Sequence, residues 1–215
     1  MNARVTVRMV ILAVLSITLT ACKQEAPPEA SAKSAEPSGQ AVNVNPGREM
    51  AEDFALLDEE GRKVRLSDLR GKIVVLEWTN YDCPFVQRHY EADTMEGLEA
   101  KYGDHVVWLA INSTHYSDTA GNKAWVEEQG LAYPVLDDHE GEVARAYGAR
   151  TTPHMFVIDR EGYVVYEGAI DNDPTGRGAD EPVNYVDEAL KRLVLRKDVE
   201  VSETKPYGCS VKLAQ

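Results

Sequence analysis

The chain has 215 residues, 43% hydrophobic and 27% charged, which is typical of one soluble globular domain with appendages. Its formal net charge of −13 argues against binding to nucleic acid and against docking on anionic lipid by charge. The three cysteines, Cys22, Cys83 and Cys209, form no CxxC motif, which excludes zinc knuckles, c-type haem attachment and a dithiol CxxC site.

Residues 1–22 are predicted to be an export signal. A positively charged start precedes the apolar residues 9–21, a run too short to span a bilayer comfortably. The segment ends in LTAC, which resembles a bacterial lipobox with Cys22 as the lipidated residue; the alternative is a plain secretory signal that contains a cysteine. Lys23 after the cysteine favours, by resemblance to Gram-negative lipoproteins, the periplasmic face of the outer membrane. Residues 23–46, rich in Ala, Pro, Ser and Glu, predict a disordered tether.

Residues 47–197 show the alternation of strands and helices that predicts an α/β sheet with helices on both faces. A β-hairpin is predicted first, from residues 54–57 and 63–66 around a turn that contains glycine. Further strands are predicted at residues 72–78, 106–111, 134–136, 155–158 and 163–168, and helices at residues 83–102, 119–129, 141–147 and 183–195. The remaining residues 198–215 form a tail that carries Cys209 and has no clear regular structure.

Cys83 stands where a buried strand gives way to a helix. Pro84 is favourable at the first helical position, so Cys83 is expected at the helix N-terminus. There the positive end of the helix dipole favours the thiolate, which is the nucleophilic form, while the charge of Asp82 works against it. The alternative is a buried structural cysteine, since free cysteine is among the most buried residue types.

From about residue 50 to residue 195 the chain resembles the thioredoxin superfamily, in its redoxin or peroxiredoxin-like (AhpC/TSA-like) branch. Cys83 falls where thioredoxins have the first cysteine of their CxxC motif, and Val86 falls on the second. Glu77 falls on the buried strand acid that transfers protons, and Thr152-Pro153 falls on the cis-proline loop that faces the cysteine. The resemblance implies a three-layer α/β/α sandwich with an N-terminal β-hairpin.

The resemblance also bears on whether the site has the residues of a peroxidase. Peroxiredoxins have threonine at the position of Cys83, the peroxidatic cysteine at the position of Val86 and arginine at the position of Pro153, and all three are missing here. The segments DCPFV at residues 82–86 and YGCSVK at residues 207–212 resemble peroxiredoxin-like redoxins of unsettled activity.

The first functional hypothesis is a thiol–disulfide oxidoreductase that acts through Cys83 on periplasmic protein or small-molecule thiols and disulfides. In this scheme Pro153 positions the substrate, Glu77 moves a proton, and Cys209 resolves the mixed disulfide. The residues expected to contact substrate are Thr152 and Pro84. The electron donor, the substrate and the oligomeric state are left open by the sequence.

Two alternatives use the same residues differently. One is a thiol peroxidase with Cys83 as an atypical peroxidatic residue. The other is a non-enzymatic, lipid-anchored binding protein in which a Cys83–Cys209 disulfide only staples the tail, since a tail cysteine in an oxidising compartment is usually paired.

No metal and no cofactor are expected. His154 follows Pro153 and could lie close to the thiol, which leaves a Cys83/His154 metal site as a minor alternative. Residues 171–176 (DNDPTG) mimic the first half of a calcium loop, but position twelve is Pro182 instead of glutamate, so an ordinary polar loop is favoured.

Overall fold

The structure, a computed structural model, describes residues 48–214. The predicted signal peptide, the lipidation site at Cys22 and the predicted tether of residues 23–46 lie outside the described residues. Within the part that is described, no helix has both the length and the apolar character needed to cross a membrane.

The described residues contain ten strands and five helices, in the alternating order that the sequence predicts. The strands are β1 (Glu49–Met50), β2 (Ala55–Leu57), β3 (Lys63–Arg65), β4 (Ile73–Thr79), β5 (Val106–Asn112), β6 (Val135–Asp137), β7 (Thr151–Thr152), β8 (His154–Ile158), β9 (Tyr163–Gly168) and β10 (Cys209–Ser210). The helices are α1 (Pro84–Glu91), α2 (Thr94–Tyr102), α3 (Thr119–Gln129), α4 (Glu142–Tyr147) and α5 (Tyr185–Val194), with a 3-10 turn at Leu66–Leu69.

An eight-stranded sheet lies at the centre, in the order β1-β9-β8-β4-β5-β6-β2-β3. Strands β4, β5 and β6 are parallel, and the other neighbours in this sheet are antiparallel. Because parallel strands have their carboxyl ends at one edge, the segments that follow β4, β5 and β6 lie at that edge, and Cys83 is on the first of them. A second, two-stranded sheet joins β7 to β10.

The central strand β4 is buried along its whole length, as its continuous apolar sequence predicts. Its side chains alternate between the two faces of the sheet, as the pleat requires. Ile73 and Val75 belong to the hydrophobic cluster that includes residues of α1, α2, α3 and α5, whereas Val74 and Leu76 belong to the cluster that includes α4 and Phe54. The result is the predicted α/β/α sandwich.

The residues that flank helix α3 determine where it begins and ends. Asp118 precedes the helix, and its side chain accepts a hydrogen bond from the Gly121 N–H at 2.7 Å. The helix ends at Gln129, and the following Gly130 has a φ of +67°, in the left-handed region. These two signals explain why the predicted range of 119–129 is confirmed.

The single helix predicted over residues 83–102 is wrong. Asp93 adopts a φ of +50°, which separates α1 from α2. The reason lies in the phase of the buried residues. In an uninterrupted helix the face of Val86 and Tyr90 would continue through Gly97, but Met95 and Leu98 are the side chains that are buried. The break at Asp93 rotates the second half so that these two reach the core.

The tail is also more regular than predicted. It first runs beside β9, where the Thr204 N–H donates to the Glu167 carbonyl oxygen at 3.0 Å. It then forms β10 against β7, and the Lys212 carbonyl oxygen accepts from the His115 N–H at 2.9 Å. The tail therefore crosses the edge of the sheet at which Cys83 lies. A strand this short cannot be read from sequence periodicity, because its pairing partner is distant in the chain.

Candidate active site

Cys83 occupies the N-cap position of α1, and Pro84 is the first helical residue, as predicted. The side chain is 1% exposed. Its protonated thiol donates to the Thr152 carbonyl oxygen, with the sulfur and oxygen 3.0 Å apart. Strand β7 therefore contacts the sulfur directly.

The pKa of Cys83 lies below its ordinary value. Burial acts to raise this pKa, but the side chains of Cys209 and Thr152 and the backbone N–H groups of Val86 and Cys209 together outweigh it. The opposing charge of Asp82 therefore does not dominate. A lowered pKa increases the fraction of thiolate at neutral pH, which makes Cys83 the better nucleophile of the two described cysteines.

Thr152 and Pro153 form the loop that faces Cys83, as the resemblance implies. The peptide bond between them is cis. Thr152 is buried, and its backbone pairs with β10 in antiparallel register with Cys209. The structure thus brings four of the predicted site residues together: Cys83, Thr152, Pro153 and Cys209.

Cys209 is half-buried, and both it and the fully buried Cys83 are free thiols. The Cys209 backbone pairs with Thr152, whose carbonyl oxygen contacts the Cys83 sulfur, and its side chain packs against the hydrophobic cluster that contains Cys83. Burial and then the interaction with Cys83 raise the pKa of Cys209 to about 11, although Lys212 acts in the opposite direction. The two thiols therefore differ: Cys83 ionises first, and Cys209 remains protonated beside it.

Residue 208, directly before Cys209, must be glycine because the backbone of Thr152 lies too close to allow a side chain. Gly208 has a φ of +138°, and a Cβ atom at this position would lie 2.1 Å from the Thr152 carbonyl oxygen. This is the oxygen that accepts the hydrogen bond from Cys83. The short strand β10 can therefore lie over the cysteine only because residue 208 lacks a side chain.

Glu77 is fully buried on β4, as predicted for a strand acid. Tyr90 donates its hydroxyl proton to Oε1 at 3.1 Å, and the Trp108 indole N–H donates to Oε2 at 2.9 Å. Burial raises the pKa of Glu77 to about 7 despite these hydrogen bonds. Among the described residues no hydrogen bond joins Glu77 to Cys83, so proton transfer between them stays a prediction.

The prediction that His154 could lie close to the thiol is wrong. His154 pairs with Trp78 across β8 and β4, and its ring lies 4.6 Å from that of Phe156. Trp78 and Phe156 belong to the cluster on the opposite face of the sheet from Cys83, because alternate strand residues point to opposite sides. Burial lowers the pKa of His154 to about 4. A Cys83/His154 metal site is therefore excluded by strand geometry.

Sequence reasoning missed the residues that anchor the tail. The Tyr207 hydroxyl donates to the Asp171 carboxylate and lies 3.1 Å from Nε2 of the buried His89. Arg88 also contacts this hydroxyl, at 3.3 Å. The sequence did contain one signal for this anchor: an aromatic residue, Tyr207, two positions before Cys209 is unusual in an exposed polar tail.

The calcium-like loop is closed by its own backbone. The Asp173 carboxylate accepts from the N–H groups of Gly176 and Gly178 at 2.9 and 2.8 Å. The Asp171 carboxylate accepts from the Asp173 N–H and from Tyr207. The loop therefore serves as the polar anchor for Tyr207.

Comparison with known families gives the assignment. The model of the AhpC/TSA family matches residues 48–167, which span β1 to β9 and include Cys83 and Pro153. The chain belongs to the AhpC/TSA family. This AhpC/TSA protein carries its second described thiol, Cys209, beyond the matched segment.

One relative of the AhpC/TSA chain is a thiol enzyme by name. The chain is 33% identical over 117 residues to the thiol-disulfide oxidoreductase ResA of Bacillus thuringiensis subsp. konkukian, which covers 54% of this chain. The match spans 66% of the length of ResA, slightly less than two thirds.

Solved structures confirm the thioredoxin-like fold predicted for this AhpC/TSA chain. An uncharacterized conserved protein from Geobacillus kaustophilus is 31% identical with a TM-score of 0.69, covering 80% of this chain and 94% of that one. A putative thiol:disulfide interchange protein DsbE from Chlorobium tepidum is 25% identical with a TM-score of 0.52, covering 69% and 95% of the two chains.

Proposed function

We propose that this AhpC/TSA protein is a thiol–disulfide oxidoreductase in which Cys83 attacks and Cys209 resolves. The observation that carries the proposal is the pairing of β10 with β7, which sets Cys209 opposite Thr152, the residue whose carbonyl oxygen contacts the Cys83 sulfur at the N-terminus of α1. The name of the ResA relative supports the same reaction class.

The first step is a thiol–disulfide exchange. The Cys83 thiolate attacks one sulfur of a partner disulfide, so that a bond forms between Cys83 and that sulfur while the partner's S–S bond breaks. The second partner sulfur leaves as a thiolate and takes up a proton. The lowered pKa of Cys83 favours this order, because the attacking group must be ionised.

The second step releases the partner. Burial still raises the pKa of Cys209, but once Cys83 is in a mixed disulfide it carries no negative charge, so its added contribution to that pKa is removed. Cys209 then loses its proton and attacks the Cys83 sulfur. A Cys83–Cys209 bond forms, the mixed disulfide breaks, and the partner leaves with both sulfurs reduced. A thiol or dithiol donor must then return the two electrons to the chain.

The number of thiolates released per chain tests this two-step reaction. A chain with Cys22→Ala, reduced and freed of reductant, is mixed with an excess of an aromatic disulfide whose thiolate is coloured. The chain with both other cysteines should release two thiolates, one for each step. Cys209→Ser should release one and retain a mixed disulfide visible by mass. Cys83→Ser should react roughly tenfold or more slowly, because the thiol that remains is the one that ionises less readily.

Two results would contradict the proposal. One is release at the same rate from all three chains. The other is a protein that does not exchange with disulfides but consumes peroxide through Cys83 at a higher rate than a small thiol does. That result would make the protein a peroxidase.

We further propose that a lipid on Cys22 holds the protein at the periplasmic face of the outer membrane. The proposal is supported by the apolar residues 9–21 that end in LTAC and by Lys23. Expression with a labelled fatty acid should give a labelled protein in the membrane fraction, and Cys22→Ser should abolish the label. A soluble, unlabelled parent chain would contradict the anchor.

A further inference from the structure

His89 is a buried histidine that the proposed reaction does not use. It lies on α1, six residues after Cys83, and its side chain is buried. Its Nε2 atom lies 3.1 Å from the Tyr207 hydroxyl and 3.2 Å from a guanidinium nitrogen of Arg88. Because Tyr207 gives its one proton to the Asp171 carboxylate, its oxygen faces the histidine as an acceptor. His89 is therefore in direct polar contact with the tail.

Tyr207 is the residue through which this contact reaches the second thiol. Cys209 follows it by two positions and pairs with Thr152, whose carbonyl oxygen contacts the Cys83 sulfur. Earlier in the tail, the backbone is attached to β9 at Thr204. Tyr207 supplies side-chain hydrogen bonds between these two backbone attachments. Its position therefore determines where the chain enters β10, and with it the place of Cys209.

The surroundings of His89 disfavour a positive charge on its ring. Burial lowers the pKa of His89 below its ordinary value of 6.5, and Arg88, a permanent cation, acts in the same direction. Asp171 and Asp173, in the loop that follows β9, act against this without reversing it. The Tyr207 hydroxyl also faces the ring and stays neutral in acid, because burial raises its pKa. The docked tail therefore surrounds a histidine that resists protonation.

The docked and released states of the tail differ in their affinity for this proton. When the tail is released, water reaches the ring and the pKa of His89 returns toward 6.5. Above pH 6.5 the histidine is neutral in both states, so docking does not depend on it. As the pH falls below 6.5 the released state takes up the proton first, and docking weakens.

We propose that His89 is a positioning residue for the resolving step: in its neutral form it holds Tyr207 and so keeps Cys209 at the Thr152 loop, and its protonation lets the tail detach. The proposal rests on the proposed function, since it assigns a residue to the second step of that reaction. It implies that acid uncovers the attacking thiol and at the same time withdraws the resolving one. A mixed disulfide on Cys83 should therefore persist longer in acid.

The alkylation rate of Cys83 reports detachment of the tail, because this sulfur is 1% exposed while β10 is in place. The chain carries Cys22→Ala and Cys209→Ser, so one thiol remains and no disulfide exchange is involved. Rates with iodoacetamide are measured between pH 8 and pH 5, with and without His89→Gln, whose amide is polar but takes no charge. His105→Gln, at an exposed histidine after α2, is the matched control.

The ionisation of Cys83 is common to these chains, so the ratio of two rates isolates the tail. The rate of the parent chain divided by that of His89→Gln should rise roughly threefold or more from pH 8 to pH 5. His105→Gln should follow the parent chain at every pH. Circular dichroism verifies that each variant is folded. If His89→Gln does not fold, Tyr207→Phe serves instead: at pH 8 it should be alkylated roughly threefold or more faster than the parent chain, because the anchor is lost.

The effect on resolution is read from the two phases of thiolate release, with Cys209 restored and one equivalent of the aromatic disulfide. Tyr207→Phe and His89→Leu should slow the second phase roughly threefold or more without slowing the first. His89→Gln should restore the second phase, because its amide can donate to the Tyr207 oxygen. General damage to the fold would not separate the two phases in this way.

A rate ratio that stays constant with pH, or a second phase that is unchanged in Tyr207→Phe, would overturn the inference. Alkylation needs no disulfide exchange, so it tests the tail independently of the reaction. A parent chain that releases two thiolates while the ratio stays constant would reject the role of His89 and keep the proposed function. Absence of Cys83-dependent release from the parent chain would reject the function itself.

Discussion

Oxidation of the Cys83–Cys209 pair is expected to raise the free energy of unfolding by up to ~4–5 kcal/mol. The bond would close a loop from residue 83 to residue 209, and on the chain-entropy model a loop of this length gives a gain of that size. Both cysteines lie at Thr152, which pairs with Cys209 and accepts the hydrogen bond from Cys83.

Urea unfolding of the oxidised and reduced chains measures this difference, with Cys209→Ser as the control that should not respond to oxidant. A gain near the upper limit would mark a stable staple. A small gain with ready reduction by mild thiols would mark the resolving disulfide of the proposed cycle. Failure to form an intramolecular disulfide at all would contradict both roles for Cys209.

The second large effect concerns Glu77, whose pKa is raised to about 7 by burial. Below about pH 4.5, the reference value for a glutamate, the carboxyl is protonated in both the folded and the unfolded chain. As the pH rises toward 7 the unfolded chain releases this proton while the folded chain keeps it, so stability falls. The shift corresponds to a loss of roughly 3 kcal/mol, complete once the pH exceeds the folded value.

Glu77→Gln should remove this dependence. Its amide is neutral at every pH and can still accept from Trp108 while donating toward Tyr90. Denaturation at pH 5 and pH 8 should therefore give a stability difference that is roughly 2–3 kcal/mol smaller for Glu77→Gln than for the parent chain. Glu128→Gln, an exposed change on α3, should keep the parental profile. Parallel profiles for all three chains would show that Glu77 does not titrate in the core.

The sequence was sufficient for the architecture because its signals are local. The continuous apolar run of β4, the Asp118 cap of α3 and the proline that opens α1 each act within a few residues. The same holds for placing Cys83 at a helix N-terminus. The resemblance then supplied the cis-proline loop, which periodicity alone does not reveal.

What the sequence did not predict depends on contacts between distant residues. The break at Asp93 follows from which side chains reach the core in three dimensions. The position of His154 follows from the face on which β8 presents it. Strand β10 exists only because Thr152 offers it a pairing edge, and Tyr207 is ordered by Asp171 and not by its sequence neighbours.

The position of β10 near the carboxyl end has a consequence for the timing of synthesis. Cys209 is made after Cys83, and domains begin to fold from the amino-terminal side while the chain is still growing. Strand β4 and helix α1 lie far before β10 in the chain. Cys83 and the start of its helix are therefore synthesised well before the strand that covers them. During synthesis there is therefore an interval in which the Cys83 thiol is neither covered by β10 nor able to pair with Cys209.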